Sequence, residues 1–227
     1  MTPATVCAVH APRPAVGACA RCGTFGCEQC LPPQSVERVC AACLQRQVAH
    51  LPPLESRALL ARIALWAAGA AGLMLAGASE LPLSDSGPLV ALLVGLVGLG
   101  YLTLLVGTIV VFCLWFHLAV RYGLALGLMA GDTPGFAVGS WFIPFVNLFV
   151  PFNIARQLDG SAPVGAWQAL WIIGDVASRL SRPAFGGVVP FIGPALLLGA
   201  ALAGADVVKR ITERIALHTG PQAPGLR

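Results

Sequence analysis

The longest uncharged stretch of this chain runs from Ser86 to Val120, 35 residues without an Asp, Glu, Lys or Arg. As a single helix it would measure about 50 Å, which exceeds the ~30 Å hydrocarbon thickness of a bilayer. Over the whole chain, hydrophobic residues make up 57% and charged residues 11%, against ~45–50% and ~25% in soluble domains. The sequence therefore predicts a membrane protein.

The predicted fold is an all-α polytopic membrane protein that follows a small N-terminal zinc-binding module. We expect a membrane domain over residues 58–217, with four transmembrane helices at 58–79, 88–118, 163–181 and 184–208. Val208, Ile211 and Ile215 follow helical spacing, which predicts an amphipathic helix on the membrane surface after the last span. Residues 218–227 are expected to form a disordered tail.

Residues 133–157 are apolar but do not have the pattern of a regular span. Pro144 and Pro151 each remove a backbone donor and obstruct a helix, and Asn147 and Asn153 need polar partners in hydrocarbon. Irregular backbone is tolerated at membrane depth only inside protein or beside a water-filled cavity. We therefore expect a re-entrant or interfacial segment that packs against the other helices.

Basic residues predict the orientation through the positive-inside rule. With four spans and a re-entrant segment, eight basic residues lie on one side of the membrane: Arg46, Arg57, Arg62, Arg121, Arg156, Lys209, Arg210 and Arg214. Only Arg179 and Arg182 lie on the other side. The sequence therefore predicts a multi-pass protein of the inner cell membrane with both termini in the cytoplasm. Its excess of Arg over Lys is typical of a GC-rich bacterial genome.

Seven of the eight cysteines lie between residues 7 and 43, inside a module predicted over 1–46 that a linker at 47–57 joins to the first span. With one histidine they form four pairs, each with a two-residue gap: Cys7 and His10, Cys19 and Cys22, Cys27 and Cys30, Cys40 and Cys43. Such a gap lets both side chains of a pair reach one ion, and zinc takes four ligands tetrahedrally. The eight residues therefore predict two zinc ions.

The short gap between Cys22 and Cys27 favours a cross-braced arrangement of these pairs. One ion is then held by Cys7, His10, Cys27 and Cys30, and the other by Cys19, Cys22, Cys40 and Cys43. Over residues 7–43 the chain resembles the B-box and related cross-braced zinc fingers, although it ends in a Cys pair where histidines are common. The alternatives are disulfides, which need an oxidising compartment, and a redox pair, which needs an exposed low-pKa Cys-x-x-Cys. Because every ligand has a partner, both ions are expected to be structural.

The irregular segment carries a second resemblance. Trp141-Phe142, Pro144, Asn147-Leu148 and Pro151 match the W-F-x-P-x-x-N-L-x-x-P signature of a bacterial membrane family, domain of unknown function 4328. The resemblance covers about residues 60–215 and departs at Tyr122-Gly123, where the family pattern leads us to expect an asparagine. It implies a membrane domain and no established activity.

Three classes of function follow from these features. We expect a membrane-embedded scaffold or interaction protein, not an enzyme, whose zinc module recruits a cytoplasmic protein partner. The alternative is a small transporter or channel-like protein, in which the Pro/Asn-rich segment lines a cavity beside Asp175. An intramembrane enzyme is disfavoured, because Ser140, His117 and Asp175 lack the spacing of known catalytic motifs.

Two further expectations concern partners. The chain has no clustered basic face, which argues against nucleic-acid binding. Small residues recur every fourth position in the first span at Ala64, Ala68, Gly72 and Ala76. Such a stripe lets another helix approach closely, so a homo-oligomer through this face is a second hypothesis, beside the simpler one of Ala-rich composition.

Overall fold

The computed structural model describes residues 5–31, 38–79, 87–129, 131–160, 163–180 and 189–219. Two short strands precede the helices: β1 (Gly17–Ala18) and β2 (Phe25–Gly26), which pair antiparallel. The helices are α1 (Ala41–Val48), α2 (Leu54–Ser79), α3 (Pro88–Ala125), α4 (Pro134–Gly139), α5 (Val150–Asp159), α6 (Pro163–Leu180) and α7 (Val189–Thr219). A 3-10 turn at Val146–Leu148 lies between α4 and α5.

Within the described residues, three helices are long and apolar enough to cross a membrane: Leu54–Ala78, Pro88–Ala125 and Phe191–Thr219. Their outward faces are apolar as well, as the exposed side chains of Leu92, Val97 and Leu102 on α3 illustrate. Apolar faces of this length are unfavourable in water and favourable in lipid. The three helices indicate a membrane protein, in agreement with the composition.

The helices differ from the predicted spans mainly at their ends. Helix α2 begins at Leu54, before the predicted start at residue 58, and α3 continues seven residues past residue 118 to Ala125. The predicted span 163–181 corresponds to α6, which is not one of the three apolar helices. The start of the predicted span 184–208 and residues 220–227 of the predicted tail lie outside the described residues.

Neighbouring helices run in opposite directions. The hydroxyl of Tyr122, near the end of α3, donates to the carbonyl of Pro52 just before α2 (3.0 Å). Gly69 and Gly77 of α2 face Ala201 and Phe191 of α7, so these two helices are also antiparallel. Helix α6 packs antiparallel along α7. Therefore α2 and α6 point one way and α3 and α7 the other; we call the end where α2 begins and α3 ends the module end.

The small-residue stripe of α2 packs within the chain. The carbonyl of Ala64 accepts a hydrogen bond from Thr108 of α3 (3.3 Å). A Cβ atom on Gly72 would lie 2.9 Å from the hydroxyl oxygen of Tyr101, also on α3. The stripe therefore serves the close approach of α2 to α3.

The predicted surface helix after the last span is wrong. Helix α7 runs without a break to Thr219, and Val208, Ile211 and Ile215 are buried in the core of the bundle. Arg214 donates to the carbonyl of Leu158 at the end of α5 (2.9 Å). The apolar stripe that suggested contact with lipid instead contacts protein, because it lies in one core cluster with residues of α2, α3 and α5.

The Pro/aromatic segment folds as a hairpin of short elements. Thr133 caps α4 by accepting from the amide of Phe136 (3.2 Å), and α4 and α5 contact each other across the turn that joins them. In that turn Phe145 adopts a left-handed φ of 65° and its side chain is 81% exposed. Trp141, in contrast, points inward. The segment therefore has an apolar exposed tip and an aromatic side chain, Trp141, that packs against the core of the bundle.

Helices α6 and α7 approach most closely at glycines. A Cβ atom on Gly193 would lie 2.7 Å from the Cα of Ser178, and one on Gly174 would lie 3.0 Å from the amide nitrogen of Leu197. Distances this short leave no room for a side chain. The crossing of α6 and α7 therefore depends on these two small residues.

We predict that Gly193→Ala destabilises the purified protein by about 1–3 kcal/mol, because its methyl group overlaps the backbone of α6. The thermal unfolding midpoint in detergent measures the effect. Gly100→Ala is the matched control, since Gly100 of α3 has no atom within 4 Å of an added Cβ. That variant is expected to be neutral or slightly stabilising. Equal destabilisation by both variants would contradict the α6–α7 crossing.

Candidate metal centre and membrane cavity

The structure brings all eight predicted ligands together in two groups of four. One group is Cys7, His10, Cys27 and Cys30, and the other is Cys19, Cys22, Cys40 and Cys43. In each group the ligand atoms lie within 4.8 Å of one another. The pairs alternate along the chain between the two groups, which is the cross-braced order.

The distances inside each group suit one tetrahedral ion. The sulfurs of Cys7 and Cys30 lie 3.7 Å apart, as do those of Cys22 and Cys40. The Nδ1 atom of His10 lies 3.1 Å from the sulfur of Cys30 and 3.7 Å from that of Cys27. Four thiolates at about 2.3 Å from a tetrahedral ion are about 3.8 Å apart. Each group can therefore hold a metal ion with little rearrangement.

Tight turns present the ligands. The amide of Gly23 donates to the carbonyl of Cys19 (2.9 Å), and Gly23 itself has a left-handed φ of 72°. Glycine adopts this conformation without a steric penalty, so the turn after Cys22 closes without strain. This turn connects β1 to β2, and β2 leads into the Cys27–Cys30 turn, where the amide of Cys30 donates to the carbonyl of Cys27 (2.9 Å).

Backbone amides favour the charged form of several thiols, among them Cys7 in one group and Cys19 in the other. Burial opposes ionisation of Cys7, but backbone groups of Cys27, Val9 and His10 donate to its sulfur and lower its pKa to about 6. Burial likewise opposes ionisation of Cys19, and backbone donors such as that of Cys40 lower its pKa to about 6. The lowered pKa favours the thiolate form of these two residues, which is the form that metals bind.

Other thiols in the same groups resist ionisation. Burial and the neighbouring thiols Cys7 and Cys27 raise the pKa of Cys30 to about 12. The hydrogen bond with Cys40, together with burial, raises the pKa of Cys43 to about 12. The thiols that ionise first in each group therefore oppose ionisation of the remaining thiols. A divalent cation at the centre would remove this barrier, since it compensates the charge of all its ligands.

All eight cysteines of the chain are free thiols in the structure, so no disulfide links them. Cys113, the eighth, lies in α3 and belongs to neither group. Ser140, one of the sequence candidates for catalysis, is fully buried, and its hydroxyl donates to the carbonyl of Ala137 (2.8 Å).

Helix α1 connects the metal groups to the membrane domain. Cys43, in the first turn of α1, belongs to the second metal group. The next residue, Leu44, packs against both the module core and the bundle core. Val48 and Leu51 extend this contact along the bundle. The module is therefore docked on the bundle by apolar packing. The sequence, which predicted only a linker at 47–57, did not reveal this contact.

A cavity of about 640 Å³ lies between α3 and α6, with α2 and α7 forming its back wall. Trp141 and Phe142 of the Pro/aromatic segment border it, together with Asp175 of α6. The two asparagines of the segment, Asn147 and Asn153, are not among the described residues that line it. The cavity was predicted beside Asp175, but its walls are aromatic rather than amide-rich.

The comparison with known families follows the helices of the bundle. Residues 89–213 match the model of the domain of unknown function DUF4328, which is more than half of the chain. The chain belongs to the DUF4328 family. The DUF4328 region contains α4 to α6, nearly all of α3 and most of α7, whereas the metal groups, α1 and α2 precede it. No curated protein and no solved structure matches the chain.

Sequence reasoning missed much of the cavity wall in the DUF4328 region. Tyr101, Trp167 and Trp171 line the cavity, and none of them was singled out as a site residue. The four-residue spacing of Trp167, Trp171 and Asp175 was the available signal, because it places the three side chains on one helix face. Which neighbour that face meets depends on tertiary packing.

We predict that the full-length protein purified in detergent carries about two metal ions per chain by elemental analysis, since both ligand sets are complete. Cys27→Ser should lower the content to about one, because it removes a ligand from one group only. Cys113→Ser is the control and should leave the metal content unchanged. Wild-type protein without stoichiometric metal would contradict the assignment of both groups.

Proposed function

We propose that the protein is a multi-pass inner-membrane interaction protein whose zinc-bound module recruits a cytoplasmic protein partner. Three cysteines with one histidine, and four cysteines, are the ligand sets of structural zinc sites, in which no coordination position is open for chemistry. The module's apolar core is small, with Leu31 and Val39 as buried members outside the cysteines. Two zinc ions would therefore supply most of its folding energy.

The observation that carries the recruitment proposal is a set of exposed apolar side chains on neighbouring segments of the module, which we call the valine surface: Val6, Val9, Val16 and Phe25. Val9 is 68% exposed and Phe25 is 45% exposed. The amide of Ala8 donates to the carbonyl of Phe25 (3.0 Å), so the segment 6–9 lies beside β2. Exposed apolar clusters on small modules are typical of protein interaction sites.

The docked module also supports a recruitment function, because a partner bound there is held at a defined position relative to the membrane domain. Helix α1 joins the second metal group to the bundle through Leu44 and Val48. A flexible tether would hold the partner nearby without orienting it. The packing of α1 therefore favours positional recruitment.

Four crossings, with both termini in the cytoplasm, are the topology we propose. Helices α3 and α7 run in the same direction, so the chain must return between them, and α6 is the described helix that runs that way. At 18 residues α6 measures about 27 Å, close to the ~30 Å hydrocarbon thickness. Arg57, Arg121 and Arg214 belong to segments that meet at the module end, which the positive-inside rule assigns to the cytoplasm.

The topology predicts that a C-terminal green fluorescent protein fusion is fluorescent in cells, whereas an alkaline phosphatase fusion at the same position is inactive. Both results follow from a cytoplasmic C-terminus. The same two reporters at the N-terminus are the control and should behave identically. An active C-terminal phosphatase with a cytoplasmic N-terminus would indicate three crossings and would exclude α6 as a span.

We predict that a photocrosslinking amino acid at Phe25 forms a discrete protein adduct in intact cells, because the valine surface contacts the partner. The adduct should be lost when Cys27→Ser is added, since the module then lacks the ion of the Cys7, His10, Cys27 and Cys30 group and the segments that carry the valine surface lose their fixed positions. The same crosslinker at Met74, on the exposed face of α2, is the control and should not yield this adduct. Adducts with lipid alone at Phe25 would show that the valine surface contacts the bilayer and would contradict recruitment.

Transport is the second candidate, and the cavity beside Asp175 is the observation that favours it. A chamber between α3 and α6 with a carboxylate in its wall is the kind of site that a solute pathway uses. Trp141 and Phe142, which lie between α4 and α5, border this chamber.

A further inference from the structure

The cavity between α3 and α6 has the size of a small-molecule site. Its volume of about 640 Å³ falls within the range of about 300–1,000 Å³ that is typical of ligand pockets. Apolar faces of α2, α3 and α7 form most of the wall, and the polar atoms that border it are few. Such a lining selects a largely hydrophobic ligand.

One face of α6 forms a cavity wall that changes from aromatic to acidic along the helix. Trp167, Trp171 and Asp175 lie four residues apart and all three border the cavity, so they follow one another along about 12 Å of helix. Trp167 is anchored at the module end by the ring of Trp141, whose centroid lies 5.8 Å away. A ligand in the cavity therefore meets aromatic rings at one end and a carboxylate at the other.

The carboxylate of Asp175 borders the cavity while it is paired with a counter-ion that does not border it. Arg179 donates to Asp175 through Nε (2.9 Å) and through a terminal nitrogen (3.2 Å). Arg179 does not border the cavity and its side chain is 76% exposed, in the last turn of α6. A carboxylate offers about four lone-pair sites, so the pair leaves acceptor capacity on the cavity side. Long basic side chains near helix ends also reach the interface readily.

The aromatic rings favour the same sign of ligand charge. The face of an indole or phenol ring is negative and attracts cations, most strongly where water is excluded. Trp167, Trp171 and Tyr101 provide such rings around the cavity. We propose that the cavity binds a hydrophobic organic cation, with its charged nitrogen or phosphorus centre beside Asp175 and its apolar body against Trp167 and Trp171.

This proposal goes beyond partner recruitment and names the ligand class of the cavity on which the transport candidate rests. Two simpler explanations make different predictions. If lipid acyl chains fill the cavity, neutral and cationic ligands should bind alike. If the Asp175–Arg179 pair only orients α6, loss of the carboxylate should not affect ligand binding.

The test is equilibrium dialysis of the purified full-length protein in detergent with tetraphenylphosphonium, and with triphenylphosphine oxide as the neutral comparison. We expect saturable binding of the cation and binding of the neutral compound weaker by about tenfold or more. Asp175→Asn should weaken cation binding by about tenfold or more, since it removes the counter-charge and keeps the shape. Equal binding of the two compounds, or unchanged binding by Asp175→Asn, would overturn the proposal.

Asp206→Asn is the matched control. Asp206 pairs with Arg210 at the same spacing (2.6 Å) and is 45% exposed against 43% for Asp175, but it does not border the cavity. This variant should bind the cation as the wild type does. Arg179→Gln keeps the carboxylate and removes the competing guanidinium, so its binding should be equal or tighter; loss of binding there would also overturn the proposal, even if Asp175→Asn failed to fold.

Binding and transport are separable in this design. Saturable, Asp175-dependent binding in detergent without flux of the cation across proteoliposomes would support the site and exclude the transport candidate. Absence of saturable binding in the wild type would overturn the site, whereas partner recruitment by the module would be unaffected.

Discussion

Trp141 lies between α3 and α6, and the arrangement of the membrane domain depends on this ring. Its centroid lies 5.3 Å from that of Phe112, 5.4 Å from that of Phe152 and 5.8 Å from that of Trp167. Aromatic pairs of this kind contribute about 0.5–1.5 kcal/mol each beyond their buried area. Because the hairpin of α4 and α5 occupies the space between α3 and α6 at the module end, the two helices stay apart farther along and leave the cavity.

The same packing makes the irregular backbone of the hairpin tolerable. Broken helices leave carbonyl groups without partners, and hydrocarbon cannot satisfy them. Gln168 of α6 donates to the carbonyl of Leu148 in the 3-10 turn and accepts from Arg156 of α5 (3.2 Å). Gln168, one of the polar residues that make α6 less apolar than the other long helices, thus satisfies the segment beside it.

The metal groups and the bundle are linked through a single short helix. With two zinc ions bound, as we propose, the loops of the module acquire fixed positions that their small apolar core could not maintain alone. Cys43 is a ligand on α1, and Leu44 beside it packs on the bundle core. Metal binding and docking on the membrane domain are therefore coupled through neighbouring residues of one helix.

Local spacing was sufficient to predict the two groups of Cys and His residues that could hold metal, and the long apolar helices. Two residues between Cys27 and Cys30 place both sulfurs on one side of a turn in any context, and an uncharged run such as 86–120 has few alternatives to a membrane helix. The stripe Val208, Ile211, Ile215 was misjudged for the opposite reason. Its periodicity is the same whether it faces lipid or protein, and only the packing of other helices against α7 distinguishes the two.

By itself, the sequence determined the residue types that could bind metal, the long apolar helices and the irregular character of the segment around Pro144, because these follow from covalent spacing, hydrophobicity and the missing proline amide. The tertiary structure alone decided that α1 docks on the bundle, that α6 returns between α3 and α7, and that Asp175 borders an aromatic cavity. These features depend on which faces meet across long separations in the chain, and helical periodicity specifies a face without specifying its neighbour.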